Sequence, residues 1–164
     1  EIWYSGQFWP SKNRVEIAIL DEGIGIYNSL KKNNRLCVKS NVDALKASIL
    51  PGVTSVRSPN PNDEYANSGY GLYLTRRIAV DGGDFVILSN DCMLGSNKLH
   101  AEILRPASFQ GTLIRIRLNT SSIPSLDEQL SKYISEGEKL AKKIKQNAIV
   151  TASQISRLIH DDYN

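Results

Sequence analysis

Three glycine-containing elements could do chemistry: Asp21-Glu22-Gly23-Ile24-Gly25-Ile26, Gly69-Tyr70-Gly71-Leu72 and Gly111-Thr112. Glycine lets the main chain turn sharply and lie close to a bound group, because no Cβ stands in the way. A Gly-x-Gly pair that opens a helix points free backbone amides, and the positive end of the helix dipole, at an anion such as a phosphate. Asp21 adds an acceptor-only carboxylate at the end of an apolar run. Taken singly, each element has an ordinary explanation: a tight turn, a loop leading into a helix, and the start of a strand. Their order along one chain, each in its own structural context, is what gives them weight.

That context can be read from the pattern of apolar residues. Val15 to Leu20, VEIAIL, is almost wholly apolar and branched, and reads as a strand buried on both faces that ends at Asp21. Glu1 to Trp9 reads as a strand folded back onto it through the turn residues Pro10 to Asn13. Strands are also expected at Asp84 to Ser89, at Lys98 to Arg105 (with His100 facing solvent) and at Thr112 to Leu118. In the last of these Ile114, Ile116 and Leu118 face one way and Arg115 and Arg117 the other, so the sheet has one wet face. Leu72 to Val80 has helical spacing and stops at Gly82-Gly83.

A second helix starts near Ser125, where Ser125 and Glu128 have capping-box spacing. Its apolar stripe runs through Leu126, Leu130, Tyr133, Ile134, Leu140, Ala141 and Ile144. The simplest role for that stripe is packing on the domain; a protein partner or self-association is the other. A short final helix is expected around Ala152 to Ile159. These elements divide the chain into a domain over 1–120 and a C-terminal helical extension over 121–164.

Composition excludes several classes. The 164 residues suffice for one modest core, and the net charge of +3 is spread along the chain, with no basic block to track nucleic acid or anionic lipid. Cys37 and Cys92 stand alone, with neither a CxxC nor a histidine cluster, which argues against zinc and against a disulfide framework. No apolar run reaches the roughly 18 residues of a membrane span, and no signal-peptide pattern opens the chain, so a soluble cytoplasmic protein is expected.

At the glycine elements the chain resembles the GHKL ATPases, the group of DNA gyrase, the large heat-shock chaperone, sensor histidine kinases and MutL. Their first glycine box is DxGxGI after a central strand, the second GxGL at a helix start, the third GT. The resemblance runs from about Glu1 to Leu118. It includes Gly52-Val53-Thr54-Ser55, Leu74-Thr75-Arg76-Arg77-Ile78 and Gly82-Gly83, which look like bacterial ATP-binding proteins closest to the sensor kinases. It implies a two-layer α/β sandwich, the Bergerat fold, with a mixed, mainly antiparallel sheet and helices on one face. The nucleotide would lie between the helices and a lid over 27–68, a stretch rich in polar residues whose one helical candidate is Val42 to Leu50.

The resemblance also implies ligands and roles. ATP or ADP is the expected cofactor, held by Asp21, Gly23, Gly25, Ile26, Gly69, Tyr70, Gly71, Leu72 and Thr112. Asp21 would accept from the exocyclic amine of adenine, where guanine presents an acceptor. Ile26 would wall the base, Thr112 would reach it directly or through water, and the backbone at Gly69 and Gly71 would face the phosphates. Nucleotide binding would then be coupled to a conformational signal, through hydrolysis or phosphoryl transfer in the intact protein, or through sensing without turnover. In the family, magnesium is held by an asparagine on a helix before the first of these strands. None of Asn13, Asn28, Asn33 or Asn34 matches it, so magnesium is expected only with an upstream segment, and no residue here is singled out as catalytic. Lys31, Lys32, Arg35 and Arg57 read as solvated lid charges, and His160 as a surface histidine.

Overall fold

The computed structural model describes residues 1–56, 67–122 and 126–144. Strand β1 (Ile2–Trp9) turns through a 3-10 turn at Pro10–Lys12 and Asn13, in the left-handed region at φ 46°, into β2 (Arg14–Asp21). The short helix α1 (Gly25–Leu30) and the helix α2 (Asn41–Ser48) follow, then α3 (Gly71–Gly82), β3 (Gly83–Asn97), β4 (Ile103–Asn119) and α4 (Leu126–Lys143). The strands form one open sheet in the order β1-β2-β4-β3, and all three pairings are antiparallel. Helices pack on one face of it, giving the expected two-layer α/β sandwich.

Local chemistry explains the boundaries. Ser40 caps α2 by accepting from the Asp43 amide at 3.1 Å. β3 and β4 form one long hairpin, and Asn97 Oδ1 closes its turn by accepting from the Leu99 and His100 amides at 2.9 and 2.8 Å. The strand expected over Lys98 to Arg105 is therefore corrected: 98–102 is the turn, and exposed His100 belongs to it. Asn90-Asp91 and Gly95-Ser96-Asn97 are turn-type residues inside β3, so the sequence pattern breaks the strand at Ser89 although pairing continues to Gly95. Asn90, at φ 56°, sits at an irregularity in the β3–β4 register that lets so long a hairpin bend.

The main core lies between the helices and β3–β4, where Leu45, Ile49 and Ala79 meet Phe85, Ile87 and Leu94. Following one row across the sheet, Ile87 is opposite Ile114, Ile114 opposite Ile19, and Ile19 opposite Tyr4. Exposure climbs from 0% at Ile87 to 48% at Ile19 and 86% at Tyr4. The neighbouring row, Phe85-Ile116-Ile17-Gly6, behaves alike, with Ile17 at 38%. The expectation that Val15 to Leu20 is buried on both faces is thus overturned, because α2 and α3 cover only the β3–β4 half. The opposite face is polar: Arg115 bridges Glu16 at 3.0 Å and Asp84 at 2.6 Å, and Arg117 reaches Asp84 at 2.7 Å.

α4 packs on α3, not apart from it. Leu130, Tyr133 and Ile134 close a second core over Tyr70, Tyr73 and Leu74. Tyr133 donates its hydroxyl to Asp81 Oδ2, and Arg77 lies 4.6 Å over the Tyr133 ring while pairing with Glu136 at 2.8 Å. Gly137 is pressed against Tyr73 of α3 and Tyr70 just before it, where a Cβ would stand 2.8 Å from Tyr73 Cε1 and 3.1 Å from Tyr70 Cε1. Leu130, Tyr133, Ile134 and Ala141 do the packing expected of the apolar stripe, whereas Leu140 of the same stripe is exposed. Ser125 as a cap, the helix around Ala152 to Ile159, Arg57 and His160 lie outside the described residues.

Candidate functional site

Antiparallel pairing sets Asp21, the last residue of β2, directly opposite Thr112 of β4, and Thr112 opposite Ser89 of β3. Just beyond, the chain turns: Gly23 N–H donates to Asp21 Oδ1 at 2.7 Å. That amide is the carboxylate's one hydrogen-bond donor among the described residues, so Oδ2 keeps its acceptor capacity.

Two glycines make this corner possible. Gly25, at φ +76°, lies so close to β3 that a Cβ would stand 2.9 Å from Ser89 Oγ and 2.7 Å from the Asn90 side chain. Gly111, at φ +118°, passes against the Asp21 carbonyl, where a Cβ would be 1.9 Å from the oxygen. Both positions have a positive φ, and at Gly111 a Cβ would also run into backbone, a double demand only glycine meets; at Gly25 it would displace the Ser89 and Asn90 side chains.

The linchpin is a residue that the sequence did not single out. Ser89 Oγ accepts from the Ile26 amide at 2.9 Å and donates to the Gly111 carbonyl at 2.8 Å, so one buried hydroxyl ties the first glycine element to the third. Beside it, Asn90 Nδ2 donates to Asn41 Oδ1 at 3.0 Å, joining the corner to the start of α2. The signal available in the sequence was a polar pair, Ser89-Asn90, ending an apolar strand run; only strand register reveals what it meets.

The second glycine element approaches from the other side. Gly69, Gly71 and Leu72 line an open cleft of about 300 Å³ together with Ile26, Ser29, Val53, Thr54 and Asn67. A Cβ at Gly71 would meet nothing within 4 Å, so the backbone at the start of α3 is open. Gly69 is tied down, accepting from the Gly52 amide at 3.2 Å and donating to Asn67 Oδ1 at 3.1 Å. Ile26 belongs to both halves, bonded to Ser89 by its amide and lining the cleft. Tyr70 differs from its neighbours: its ring is fully buried in the tyrosine cluster under α4, which leaves its main chain to border the element.

The stretch expected as a lid is anchored where it is described. Leu30, Ala44 and Val53 form a buried cluster, and buried Asn33 donates to the Thr54 carbonyl at 3.0 Å. Residues 57–66 lie outside the described residues. Cys37 is exposed and Cys92 buried, both free, and burial pushes the Cys92 thiol up from its ordinary range. Among the described residues no three His, Cys, Asp or Glu side chains gather as a metal site, and no helix is long and apolar enough to cross a membrane.

No protein-family model matches the chain, and no curated protein matches it.

Proposed function

We propose that this chain is the adenine-nucleotide-binding module of a GHKL-type protein, with a Bergerat-type site that takes ATP or ADP. The observation that carries this reading is the convergence of three sequence-distant glycine elements. Ser89 ties Ile26 to Gly111, Gly111 packs on Asp21, and Ile26 shares one cleft with Gly69, Gly71 and Leu72.

The residues fit the parts of such a ligand. Asp21 keeps a free carboxylate oxygen for the exocyclic amine of adenine, and guanine would oppose it with an acceptor. Thr112 stands beside Asp21 in register, Ile26 and Leu72 give the cleft apolar walls, and the open backbone at Gly71 begins a 12-residue helix that suits phosphate. Magnesium is a different matter. The resemblance implies that an asparagine on an upstream helix would hold it and that it would neutralise phosphate charge; among the described residues no three His, Cys, Asp or Glu side chains gather.

Binding is the function read here, with a conformational signal as its output through the α3–α4 contact. The test is to titrate ATP, ADP and GTP against the protein and against Asp21→Asn. ATP and ADP should bind in preference to GTP, and the substitution should weaken adenine nucleotides by about 1 to 3 kcal/mol, the range for a hydrogen bond to a charged group. Equal affinity for ATP and GTP sinks the adenine assignment.

A further inference from the structure

β1 is the outer strand of the sheet, and among the described residues no strand pairs with its free edge. Exposed edges usually carry guards against pairing with another chain: an inward charge, a proline, a bulge or a very short strand. β1 has none of them. Its eight residues, IWYSGQFW, include no charge and no proline, and its register with β2 runs unbroken from Ile2 to Trp9. Three of its four aromatic side chains are also bare, with Trp3 at 55%, Tyr4 at 86% and Phe8 at 52% exposure, and Trp9 is half-buried.

The order of residues in this strand is close to a palindrome about Gly6. Trp3 and Trp9 lie three places either side of it, Tyr4 and Phe8 two places, Ser5 and Gln7 one place. We propose that the free edge of β1 is the docking surface for a second copy of this chain. The two β1 strands would pair antiparallel across a two-fold axis at Gly6, joining two sheets into one.

Three features favour a second copy as the occupant. In an isologous pair every residue meets its mirror position, and this register sets Trp3 opposite Trp9 of the second copy, Tyr4 opposite Phe8, and Ser5 opposite Gln7. Opposed residues of an antiparallel pair share a face, so the tryptophans meet on one side of the joint sheet and Tyr4 and Phe8 on the other. Aromatic pairs directly opposite are among the more stabilising cross-strand contacts. Sliding the register by the smallest step that keeps the faces matched sets Tyr4 against Gly6 on one side, or Phe8 against Gly6 on the other, and loses the aromatic pairing. Charge is compatible as well: the strand is neutral from Ile2 to Trp9, so antiparallel pairing of two copies brings no like charges together.

Charge placed at the two central polar positions reads this register directly. Ser5 and Gln7 are exposed, and Gln7 is opposite Glu16 within the chain, so a lysine at 7 is compatible with the monomer. Sedimentation equilibrium on the full chain should find a reversible monomer–dimer equilibrium. Combining Ser5→Lys with Gln7→Lys opposes like charges twice and should raise the dimer dissociation constant roughly 10- to 30-fold. Combining Ser5→Glu with Gln7→Lys opposes unlike charges and should return it to within about threefold of the parent. Circular dichroism of each variant checks the fold. As an independent arm, a chain with Ser5→Cys mixed with a chain with Gln7→Cys should form a 5–7 disulfide on mild oxidation, mapped by peptide mass spectrometry. A protein that stays monomeric up to its solubility limit overturns the proposal. So does a dimer equally stable in both charge variants, or one that yields no 5–7 cross-link.

Discussion

The two halves of the sheet are built from the same strand chemistry and end in opposite states. In the β3–β4 half, Phe85 and Ile87 are fully buried under α2 and α3; in the β1–β2 half, Ile17, Ile19 and Tyr4 continue the same rows and lie open. Alternation therefore says which residues share a face, and says nothing of whether a second layer covers it. Burial is a property of the helix above the strand as much as of the strand itself.

The largest expected effect tests that contrast directly. Phe85→Ala should lower unfolding stability by about 3 to 5 kcal/mol, since it empties a packed site. Tyr4→Ala, in the bare half, should cost under about 1 kcal/mol, the scale of a single cross-strand pair. Urea denaturation of the two variants decides the matter, and equal losses would mean that the bare half is covered in solution.

A middle-sized effect probes the seam between strand ends and glycine elements. Gly111→Ala forces a Cβ against the Asp21 carbonyl at a left-handed φ, and should cost about 2 to 3 kcal/mol of stability. Gly71→Ala meets open space and should leave stability within about 1 kcal/mol of the parent while weakening nucleotide binding. Thermal melts with and without ATP separate the two. If Gly71→Ala binds as well as the parent, that glycine has no ligand role.

The smallest effect concerns the second layer's own clamp. Burial, together with the hydrogen bond to Asp81 and that carboxylate's charge, pushes the Tyr133 hydroxyl well above the ordinary tyrosine range; burial raises Tyr73 too, opposed by Arg77. The unfolded chain releases these protons near pH 10.0, while the folded state holds them. Their contribution is therefore complete below about pH 10 and is lost as pH rises above it. Tyr133→Phe should cost about 1 kcal/mol at neutral pH and make the alkaline loss shallower. Tyrosinate absorbance followed against pH alongside unfolding checks both, and an unchanged alkaline slope would count against the clamp.

Much of this was legible in the sequence. The β1–β2 hairpin, α2, α3, α4 and the inward-facing Ile114 and Ile116 follow from period and turn chemistry, which act within a few residues. The resemblance set Asp21 and Thr112 against one base, and only the structure shows that they are strand partners. What could not be read depends on residues far apart in the chain: the cover over Ile17 and Ile19, the bridge made by Ser89 across 63 residues to Ile26, and the steric reason for glycine at 111. The long β3–β4 hairpin was missed for a local reason, because a turn closed by one asparagine leaves little mark amid polar residues.

Gly137 also sets the mechanical gearing of the domain. Without a Cβ there, α4 sits directly on the rings of Tyr70 and Tyr73, the first of which belongs to the second glycine element. At about 1.5 Å per residue, the 18 residues of α4 make a rod of about 27 Å. Pivoting on Gly137, the arm back to Leu126 is about 16 Å long, so a tilt on the order of 10° sweeps that end through about 3 Å. Any side chain at 137 would lift the rod off its fulcrum, so the helix keeps its leverage only while that position stays bare.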